Sequence, residues 1–424
     1  MTQFPERGVR PKSGAPPSGR DRPSLHFTAE RGWINDPHGV SFRNGVYHLF
    51  YQSVPDAMSW QPRCNWGHAT STDLLGWEQQ PPALVPGLGD DGCWSGSVCT
   101  LPPDTPPALF YTSVTMADLD RAAIRVARPM DHDWTTWRKD SAVVLPPRQP
   151  SVRVFRDPNV FWDHDCWRML VGAGLEDGRP AVLCYRSTDQ EHWTYEGPLV
   201  EGTADVAQGR HTAWECPQLI RIADRDILLV SAVTDGTTGN ALVAVGTYDA
   251  GRFRSDHWSE LTHGPGHYAP STFLDADDAP CVIFWIRDVA DRTAGWSGAL
   301  SIPYRLSLVD DRLALTPHSA VTRVRRDPGH AFGFTWHPYP GRTSHLSLRT
   351  EDGQPALDLL ANGSTLTVAT PTDTVTAPRD GQDVDVLLDG GILEVITRHG
   401  VVGLPVAALP LLVDESAPIT PWWP

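Results

Sequence analysis

A repeat with a period of about 58 residues restricts the fold of this chain more than any other sequence feature. An aspartate followed four residues later by an aromatic side chain recurs as Asp73/Trp77, Asp133/Trp137, Asp189/Trp193 and Asp249/Phe253. These aspartates are 60, 56 and 60 residues apart, and a short apolar run typical of a β-strand precedes each pair. A unit of this length holds four short strands with their turns, which is one blade of a β-propeller. The repeat therefore predicts a propeller, and residues 26–306 have room for about five blades.

The sequence pattern changes after residue 306. Residues 346–349, 364–368 and 383–388 alternate apolar with polar side chains, as strands that bury one face do. We therefore predict an all-β chain: a five-bladed propeller at 26–306, followed by a small C-terminal β-sandwich at 312–424. Residues 1–25 are rich in proline and are expected to form a disordered tail.

Charge and cysteine usage exclude several partners. The chain has 51 acidic and 35 basic residues, a formal net charge of -16, which opposes binding to nucleic acid or to an anionic membrane. Its seven cysteines contain no C-x-x-C pair, and no apolar segment typical of a signal peptide follows the N-terminus. We expect a cytoplasmic protein with neither a nucleic-acid nor a membrane partner, and its oligomeric state remains open.

Five short segments share one phase of the repeat and carry the residues of greatest chemical interest. They are Trp33-Ile34-Asn35-Asp36-Pro37, Trp94-Ser95-Gly96-Ser97, Phe155-Arg156-Asp157-Pro158, Trp214-Glu215-Cys216-Pro217 and Tyr268-Ala269-Pro270-Ser271. Equivalent positions of propeller blades converge on the central axis. The sequence therefore predicts that Asp36, Asp157 and Glu215 meet in space.

Clustered carboxylates suit either a hard cation, which takes six to eight oxygen ligands, or glycoside hydrolysis, which needs an acid/base and a nucleophile. A purely structural role is the third interpretation. Tryptophans near the acids favour the glycosidase, because flat apolar rings suit the C–H faces of sugars; these are Trp33, Trp60, Trp66, Trp94, Trp214 and Trp296. Three acids are too few for a calcium cage, so we expect neither a metal nor a cofactor.

The same segments resemble the β-fructofuranosidases of glycoside hydrolase family 32, which includes invertases, inulinases, levanases and fructosyltransferases. The family's W-M-N-D-P-N-G stretch is matched by residues 33–39, its R-D-P by 156–158 and its E-C-P by 215–217. Further likeness runs through residues 47–52, 65–69, 94–97, 268–270, 295–300 and, in the C-terminal part, 388–395. The resemblance covers nearly the whole chain beyond residue 25 and implies a five-bladed propeller with an appended sandwich.

The resemblance also implies roles for the three acids. Asp36 would be the nucleophile, Glu215 the general acid/base and Asp157 a transition-state stabiliser, in a retaining reaction on a small-molecule carbohydrate. The residues expected to shape the fructose pocket are Asn35, Gln52, Trp60, Trp66, Trp94, Ser95, Arg156, Tyr268 and Trp296. Two residues keep a second interpretation: Arg156 as a structural partner of a neighbouring acid, and Cys216 as a packed thiol or a weak hydrogen-bond donor near the acids.

One segment departs from the family pattern. Many members carry acids just before the position of Tyr268, whereas residues 262–267 here contain none, which leaves the leaving group open. His263 and His267 are candidates to contact that group instead. The sequence does not separate hydrolysis from fructosyl transfer, and the rival from another class is a non-catalytic sugar-binding propeller.

Overall fold

Short strands joined by tight turns make up nearly all of the computed structural model, which describes residues 22–100, 105–202, 206, 209–324, 331–350, 352–381, 383–406, 412–415 and 418–423. Most of the expected N-terminal tail lies outside these residues. Residues 22–25, however, are ordered against the rest of the protein: Leu25 is buried, and its N–H donates to the Asp389 carboxylate at 2.8 Å. The tail expectation is therefore wrong for these four residues.

Four successive sets of four antiparallel strands form the first four blades; blades two to four are separate sheets, and blade one is part of a larger sheet. Blade one contains β1 (Gly32–Arg43), β2 (Val46–Val54), β3 (Asn65–Ser71) and β4 (Glu78–Leu84), and blade two contains β5 (Gly92–Cys99), β6 (Ala108–Thr115), β7 (Asp118–Pro129) and β8 (Trp137–Val144). Blade three contains β9 (Val152–Asp163), β10 (Cys166–Leu175), β11 (Pro180–Ser187) and β12 (Thr194–Glu201). Blade four contains β13 (Ala213–Ile222), β14 (Arg225–Thr234), β15 (Thr237–Asp249) and β16 (Arg252–Glu260).

The fifth blade closes the ring and is joined to the first. After the short strand β17 (Thr262–His263), its strands are β18 (His267–Leu274), β19 (Pro280–Asp291), β21 (Tyr304–Val309) and β22 (Arg312–Pro317). The additional strand β20 (Trp296–Leu300) pairs with both β19 and β1 and so links the two blades into one sheet. Each inner strand contacts the next in the order β1, β5, β9, β13 and β18, and β18 contacts β1. The ring has five members, as the repeat predicts.

The repeated aspartate begins the outer hairpin of its blade. Asp73 accepts hydrogen bonds from the backbone N–H groups of Leu75 and Gly76 at 2.9 and 2.6 Å, and the indole of Trp77 donates to the carbonyl of Leu74 at 2.9 Å. An aspartate that caps such a turn replaces backbone acceptors that the hairpin cannot supply. The repeat is thus a turn motif between the third and fourth strands.

Blade two departs from this pattern by two residues. There the backbone N–H groups of Thr135 and Thr136 donate to Asp131, at 2.9 and 2.7 Å, and Asp133 is exposed. The aromatic member is kept, since the Trp137 indole donates to the Trp134 carbonyl at 2.8 Å. In blade two the capping aspartate therefore lies two residues earlier in the turn, whereas the aromatic residue keeps its position.

The fifth blade extends past the predicted domain boundary. β22 pairs with β21 from Val309↔Arg312 to Tyr304↔Pro317, so residues 312–317 form an outer strand of the propeller. The expected start of the sandwich at 312 falls inside this hairpin, because a turn signal within a blade resembles one between domains. We propose a division after residue 317, where the short helix α1 (Ser319–Thr322) follows.

The C-terminal part forms two facing sheets. The first has the order β17-β30-β29-β28-β23-β32 and the second β27-β26-β25-β24-β31. Their strands are β23 (Phe332–Trp336), β24 (Ser344–Arg349), β25 (Pro355–Asn362), β26 (Thr365–Ala369), β27 (Thr374–Pro378), β28 (Val384–Asp389), β29 (Ile392–Thr397), β30 (Gly400–Pro405), β31 (Leu412–Glu415) and β32 (Ile419–Pro421). The three alternating segments of the sequence lie in β24, β26 and β28, and the sandwich is present as predicted.

The first sheet of the sandwich packs against the propeller. Its strand β29 is buried on both faces, with Ile396 in one core cluster with propeller residues and Val395 in the core between the two sheets. β17, which follows blade four, adds to the edge of this sheet by pairing with β30. The two parts therefore share a continuous apolar interface. None of the described helices is long and apolar enough to cross a membrane.

Candidate active site

All five inner strands carry a β-bulge at the phase that the sequence marks. The register against the second strand shifts between Asn35 and Pro37, between Trp94 and Gly96, and at the equivalent positions of β9, β13 and β18. A bulge inserts one extra residue and turns its side chain out of the normal alternation. Asp36 and Ser95 are these extra residues on β1 and β5.

Positive φ angles mark three of the bulges. Asp157, Cys216 and Ala269 have φ of 63°, 48° and 50°, a region that residues other than glycine adopt at a cost. The backbone N–H of Asp157 is held by the Thr112 hydroxyl of blade two at 2.8 Å. Contacts between blades therefore maintain the strained backbone that aims these residues inward.

The structure brings the three predicted carboxylates together around Cys216. The backbone N–H of Cys216 donates to Asp157 Oδ2 at 3.1 Å, and its thiol lies 3.6 Å from Asp157 Oδ2 and 3.9 Å from Asp36 Oδ2. Glu215 is the preceding residue on the same strand. Both interpretations of Cys216 hold at once, since the thiol is buried and also donates weakly between two acids.

Neutral donors surround Asp36. The Ser95 hydroxyl donates to Asp36 Oδ2 at 2.7 Å, and the Gln52 amide donates to the same oxygen at 3.4 Å and also to Ser95. Asn35, whose Oδ1 accepts the indole N–H of Trp33 at 2.9 Å, is a further donor to Asp36. Burial raises the pKa of Asp36, and the Ser95 and Asn35 hydrogen bonds partly offset that rise.

A cation and a phenol hold Glu215. Arg156 forms an ion pair with Glu215 Oε1, and the Tyr268 hydroxyl donates to Glu215 Oε2 at 2.6 Å. Arg156 is thus the partner of a neighbouring acid, one of its two predicted roles. Tyr268 is almost completely buried and contacts the acid directly.

Arg156 is the cation that pairs with this cluster, and one positive charge does not balance three ionised carboxylates. Ionising all three acids together therefore costs free energy. Burial and the charge of Glu215 raise the pKa of Asp157, and Arg156 offsets only part of this effect. In such a cluster a proton belongs to the group rather than to one residue. The site can therefore keep one carboxyl protonated beside ionised neighbours.

Of the four tryptophans predicted to line the pocket, only Trp60 is exposed, and Trp94 beside it is 8% exposed. Trp60 is 43% exposed and packs edge-on against Trp94 at 5.4 Å between ring centroids. The Trp94 indole donates to the Pro62 carbonyl at 2.8 Å, and the Arg156 guanidinium lies 6.0 Å from the ring of Trp94. Trp94 therefore lies between Trp60 and the arginine that holds Glu215.

Trp66 and Trp296, predicted to line the pocket, are packing residues. Trp66 is fully buried, packs against His38 with the two rings tilted by 42°, and donates its indole N–H to the Trp94 carbonyl at 2.8 Å. Trp296 lies in a buried cluster with Ile392 of the sandwich. Trp214, also proposed as a sugar-binding face, is fully buried against Trp258. Large rings fill the spaces between blades as well as the pocket, and the sequence does not distinguish these places.

Sequence reasoning missed Trp285 and Arg287, both on β19. Trp285 pairs with Tyr268 across the hairpin and packs against Trp33 at 5.5 Å between ring centroids. The Arg287 guanidinium lies 4.8 Å from the centroid of the Tyr268 ring. No local sequence signal identifies them, because their placement beside Tyr268 follows from the register of the β18–β19 hairpin.

The two histidines of the acid-free segment face the sandwich, which corrects the expectation that they contact a leaving group. His267 Nε2 lies 2.9 Å from Glu394 Oε1, and neither side chain is exposed. His263 pairs with Val402 in the β17–β30 ladder and lies 3.4 Å from Glu260. Residues 262–267 therefore belong to the interface between the propeller and the sandwich.

One group of possible metal ligands, Asp275, Cys281 and His318, lies away from the acids. His318 Nδ1 accepts the N–H of Ala320 at 3.0 Å, so Nε2 carries the ring proton and faces Asp275 Oδ2 at 3.0 Å. Arg305 donates to the same carboxylate oxygen at 2.7 Å. The donors of the protein itself satisfy this cluster.

Fold and site together define a five-bladed β-propeller with a carboxylate cluster on its inner strands, and comparison with known proteins identifies the family. Residues 26–317 match the glycosyl hydrolases family 32 N-terminal domain. The chain belongs to glycoside hydrolase family 32.

Among curated relatives, the sucrose-6-phosphate hydrolase of Zymomonas mobilis is 32% identical over 317 residues, which are 70% of this chain and 61% of that protein. The raffinose invertase of Escherichia coli is 30% identical over 370 residues, covering 78% and 76% of the two chains. The chain thus spans about three fifths of the length of the first of these relatives.

Solved structures show the same fold. A β-fructofuranosidase of Bombyx mori superposes with a TM-score of 0.81 at 24% identity, covering 95% of this chain and 93% of that one. A sucrose-6-phosphate hydrolase from Lactobacillus gasseri gives a TM-score of 0.82 at 22% identity, with the same coverage. The propeller and the appended sandwich both fall within these superpositions.

Proposed function

We propose that this protein is a retaining β-D-fructofuranosidase that hydrolyses a small fructoside through a covalent fructosyl–Asp36 intermediate. The observation that carries the proposal is the arrangement of three carboxylates on the inner strands β1, β9 and β13. Each acid lies at a bulge, and each is held by different donors. Family membership and the relatives named as sucrose-6-phosphate hydrolase and raffinose invertase support it.

The donors around each acid support different roles. Asp36 receives hydrogen bonds from Ser95 and Gln52 on one oxygen, which orients the other toward an anomeric carbon. Glu215, with a side chain 13% exposed, would protonate the leaving oxygen while Asp36 attacks, and would then take a proton from water. After it has given up its proton, Arg156 and Tyr268 would stabilise the resulting carboxylate.

Asp157 would bind the fructose hydroxyls. Its backbone is fixed by Thr112 and its carboxylate by the Cys216 N–H, so it needs no reorganisation as charge develops on the sugar ring. Trp60 and Trp94 would contact the apolar face of the sugar. This assignment includes no metal and no cofactor.

Cellular location is a separate proposal. All seven cysteines are free and buried, which suits a reducing compartment such as the cytoplasm. Activity that persists in both EDTA and dithiothreitol would agree with this setting and with catalysis by carboxylates alone. Loss on chelation with recovery on added Ca²⁺ or Zn²⁺ would contradict the assigned chemistry.

The test is turnover by the purified full chain. We expect release of fructose from at least one of sucrose, sucrose 6-phosphate, 1-kestose and levanbiose, with kcat/KM ranking the leaving groups. Asp36→Asn and Glu215→Gln should each lower kcat by at least about 10²-fold with unchanged unfolding temperature. Near-full activity of either variant would refute the assignment. Transfer products at high substrate concentration would point to a fructosyltransferase instead, and binding without turnover to a sugar-binding propeller.

A further inference from the structure

Arg287 is a buried arginine without a carboxylate partner. Its side chain lies on β19 and the residue is 9% exposed. Three hydrogen bonds anchor the guanidinium, to the Thr238 hydroxyl at 2.8 Å, the Gly239 carbonyl at 3.0 Å and the Thr238 carbonyl at 3.4 Å. In the part of the chain that the structure describes, no acid lies within ion-pair distance of it. A buried charge without an ion-pair partner is costly, so its position calls for an explanation.

The guanidinium is directed at the ring of Tyr268. Tyr268 is paired with Trp285 across the β18–β19 hairpin, so Arg287, two residues further, is its diagonal neighbour on the same face. The backbone N–H of Arg287 donates to the Gly266 carbonyl at 2.8 Å, which fixes this end of the hairpin. The distance of 4.8 Å from the guanidinium carbon to the ring centroid is that of a cation–π contact.

Tyr268 contacts both Arg287, through its ring, and Glu215, through its hydroxyl. Its hydroxyl donates to Glu215 Oε2 at 2.6 Å, with the Ala232 carbonyl as a second, longer acceptor at 3.4 Å. A cation over the face of a phenol ring draws electron density from the hydroxyl and makes it a stronger donor. Arg287, Tyr268 and Glu215 thus form one line of interactions that ends at the proposed acid/base.

We propose that Arg287 is a positioning residue that acts through Tyr268 and favours the ionised form of Glu215 once its proton has gone to the leaving oxygen. The inference rests on the proposed function of Glu215 as acid/base. The proton that leaves Glu215 goes to the glycosidic oxygen as the bond from that oxygen to the anomeric carbon breaks and the bond from Asp36 forms. Water then attacks the anomeric carbon, breaks the bond to Asp36 and returns a proton to Glu215. Arg287 stays protonated throughout.

Other charged and titratable groups surround the same chain of contacts. Those around Glu215 and Tyr268 are Arg156 and Asp157 on β9, Asp36 on β1 and Cys216 on β13, and Asp288 follows Arg287 on its own strand. They are identical in all of the variants below. Differences between those variants therefore report on Arg287 and Tyr268 alone.

The experiment is a double-mutant cycle read by the pH dependence of kcat/KM on the preferred fructoside. Arg287→Met and Tyr268→Phe should each move the alkaline limb upward by about one pH unit, because a carboxylate that loses a donor keeps its proton to higher pH. The double variant should match Tyr268→Phe, since Arg287 acts through the phenol. Arg287→Lys keeps a cation over the ring and should restore most of the wild-type profile.

The matched control is Arg252→Met. Arg252 also bonds backbone carbonyl oxygens, of Pro198 and Glu196, but lies on the outer strand of blade four. Its removal should leave the pH profile in place even if stability falls.

Three outcomes would overturn the inference: an unmoved alkaline limb in Arg287→Met, a shift that adds fully to that of Tyr268→Phe, or a Lys variant no better than Met. If Arg287→Met does not fold, Arg287→Lys replaces it in the cycle. The small shift of the alkaline limb caused by Arg287→Lys should then be present when Tyr268 is intact and absent when Tyr268 is replaced by Phe. An equal shift with Tyr and with Phe at position 268 would overturn the inference.

A separate measurement keeps the inference distinct from the proposed function. If the wild type cleaves no fructoside, the proposed function fails on its own. The pH titration of the Glu215 carboxyl carbon is then followed by ¹³C NMR, with the signal assigned by its loss in Glu215→Gln. Its midpoint should move in the Arg287 and Tyr268 variants by the same amounts as predicted for the alkaline limb.

Discussion

At the scale of single residues, Asp36 and Glu215 differ in the kind of donor that each receives. Asp36 is bonded by a hydroxyl and an amide, whereas Glu215 is bonded by a guanidinium and a phenol. Neutral donors would orient Asp36 as the proposed nucleophile, and a cation would stabilise Glu215 after it has protonated the leaving group. Two carboxylates at inner-strand bulges thereby become suited to two proposed roles.

Removal of the Ser95 hydroxyl tests how strongly Asp36 depends on its orientation. Ser95→Ala should lower kcat/KM by about 10-fold or more, because a hydrogen bond to a charged group contributes about 1.5–3 kcal/mol. Ser97→Ala is the matched control, since the Ser97 hydroxyl lies on the same strand but accepts from the Val160 N–H at 3.0 Å. Equal activity losses in the two variants would show that Ser95 supports only the strand.

Asp157→Asn tests the role of the third acid. We expect kcat to fall by at least about 10²-fold with a smaller change in KM, because contacts to the sugar hydroxyls would strengthen in the transition state. The Cys216 N–H and Thr112 contacts need only an acceptor and a backbone N–H, so the fold should be retained. A normal kcat in Asp157→Asn would leave Asp157 with a structural role.

At the scale of elements, the inner-strand bulges and the outer turns serve different ends of each blade. The bulges strain the backbone and aim side chains inward, whereas the outer aspartates relieve backbone N–H groups that have no partner in the turn. Glycine enters this design where blades meet: a Cβ on Gly172 of β10 would lie 2.5 Å from the Trp214 carbonyl oxygen of β13. The approach of one blade to the strand that carries Glu215 thus requires glycine at that position.

The outer turns give a stability prediction with an internal control. Asp189 accepts hydrogen bonds from the N–H groups of Glu191 and His192, each at 2.8 Å, and these bonds lower its pKa. Asp189→Ala should cost about 1 kcal/mol in the free energy of unfolding. Asp133→Ala, at the equivalent position of blade two, should cost almost nothing because Asp131 accepts those bonds there. Equal losses in urea unfolding would contradict this account of the turns.

At the scale of the whole molecule, a buried charged cluster fastens the chain before blade one to the sandwich. His26 Nδ1 lies 2.8 Å from Asp389 and Nε2 lies 3.2 Å from Glu394, and Glu394 also accepts from His267 and Tyr304. Burial alone would lower the pKa of His26, but the charges of Glu394 and Asp389 outweigh it and raise the pKa from 6.5 to about 9. Burial would raise the pKa of Glu394, yet His26 lowers it from 4.5 to about 2.

These pKa values predict how stability depends on pH. The contribution of His26 is complete below about pH 6.5 and is lost as pH rises through 9, and that of Glu394 is complete above pH 4.5 and is lost as pH falls through 2. The rise of about 2.5 in the pKa of His26 corresponds to about 3 kcal/mol. The unfolding temperature should therefore be highest between about pH 4.5 and 6.5 as far as this cluster is concerned.

His26→Gln tests the cluster. The variant should unfold at a lower temperature at pH 6 and should lose less stability than the wild type between pH 6.5 and 9. His192→Gln is the control, because His192 is also paired with an aspartate but is 86% exposed. Parallel pH dependence of the wild type and His26→Gln would show that His26 does not link folding to protonation.

The sequence by itself determined the period of the blades, the all-β class, the sandwich and the phase that joins Asp36, Asp157 and Glu215. These features depend on the spacing of residues along the chain, which the sequence shows directly. Asp-Pro and Cys-Pro steps coincide with the interruptions of regular pairing on β1, β9 and β13, because proline has no N–H to donate to the ladder.

Tertiary structure decided what depends on contacts between distant segments. Burial separated Trp66 and Trp296 from Trp60, since a tryptophan between blades and one at a pocket have the same local sequence signals. Register placed Arg287 beside Tyr268, and that register is set by the pairing of β18 with β19 along the whole hairpin. The sandwich, packed against blade five, turned His267 away from the acids and toward Glu394, because a buried carboxylate more than a hundred residues later needed a partner.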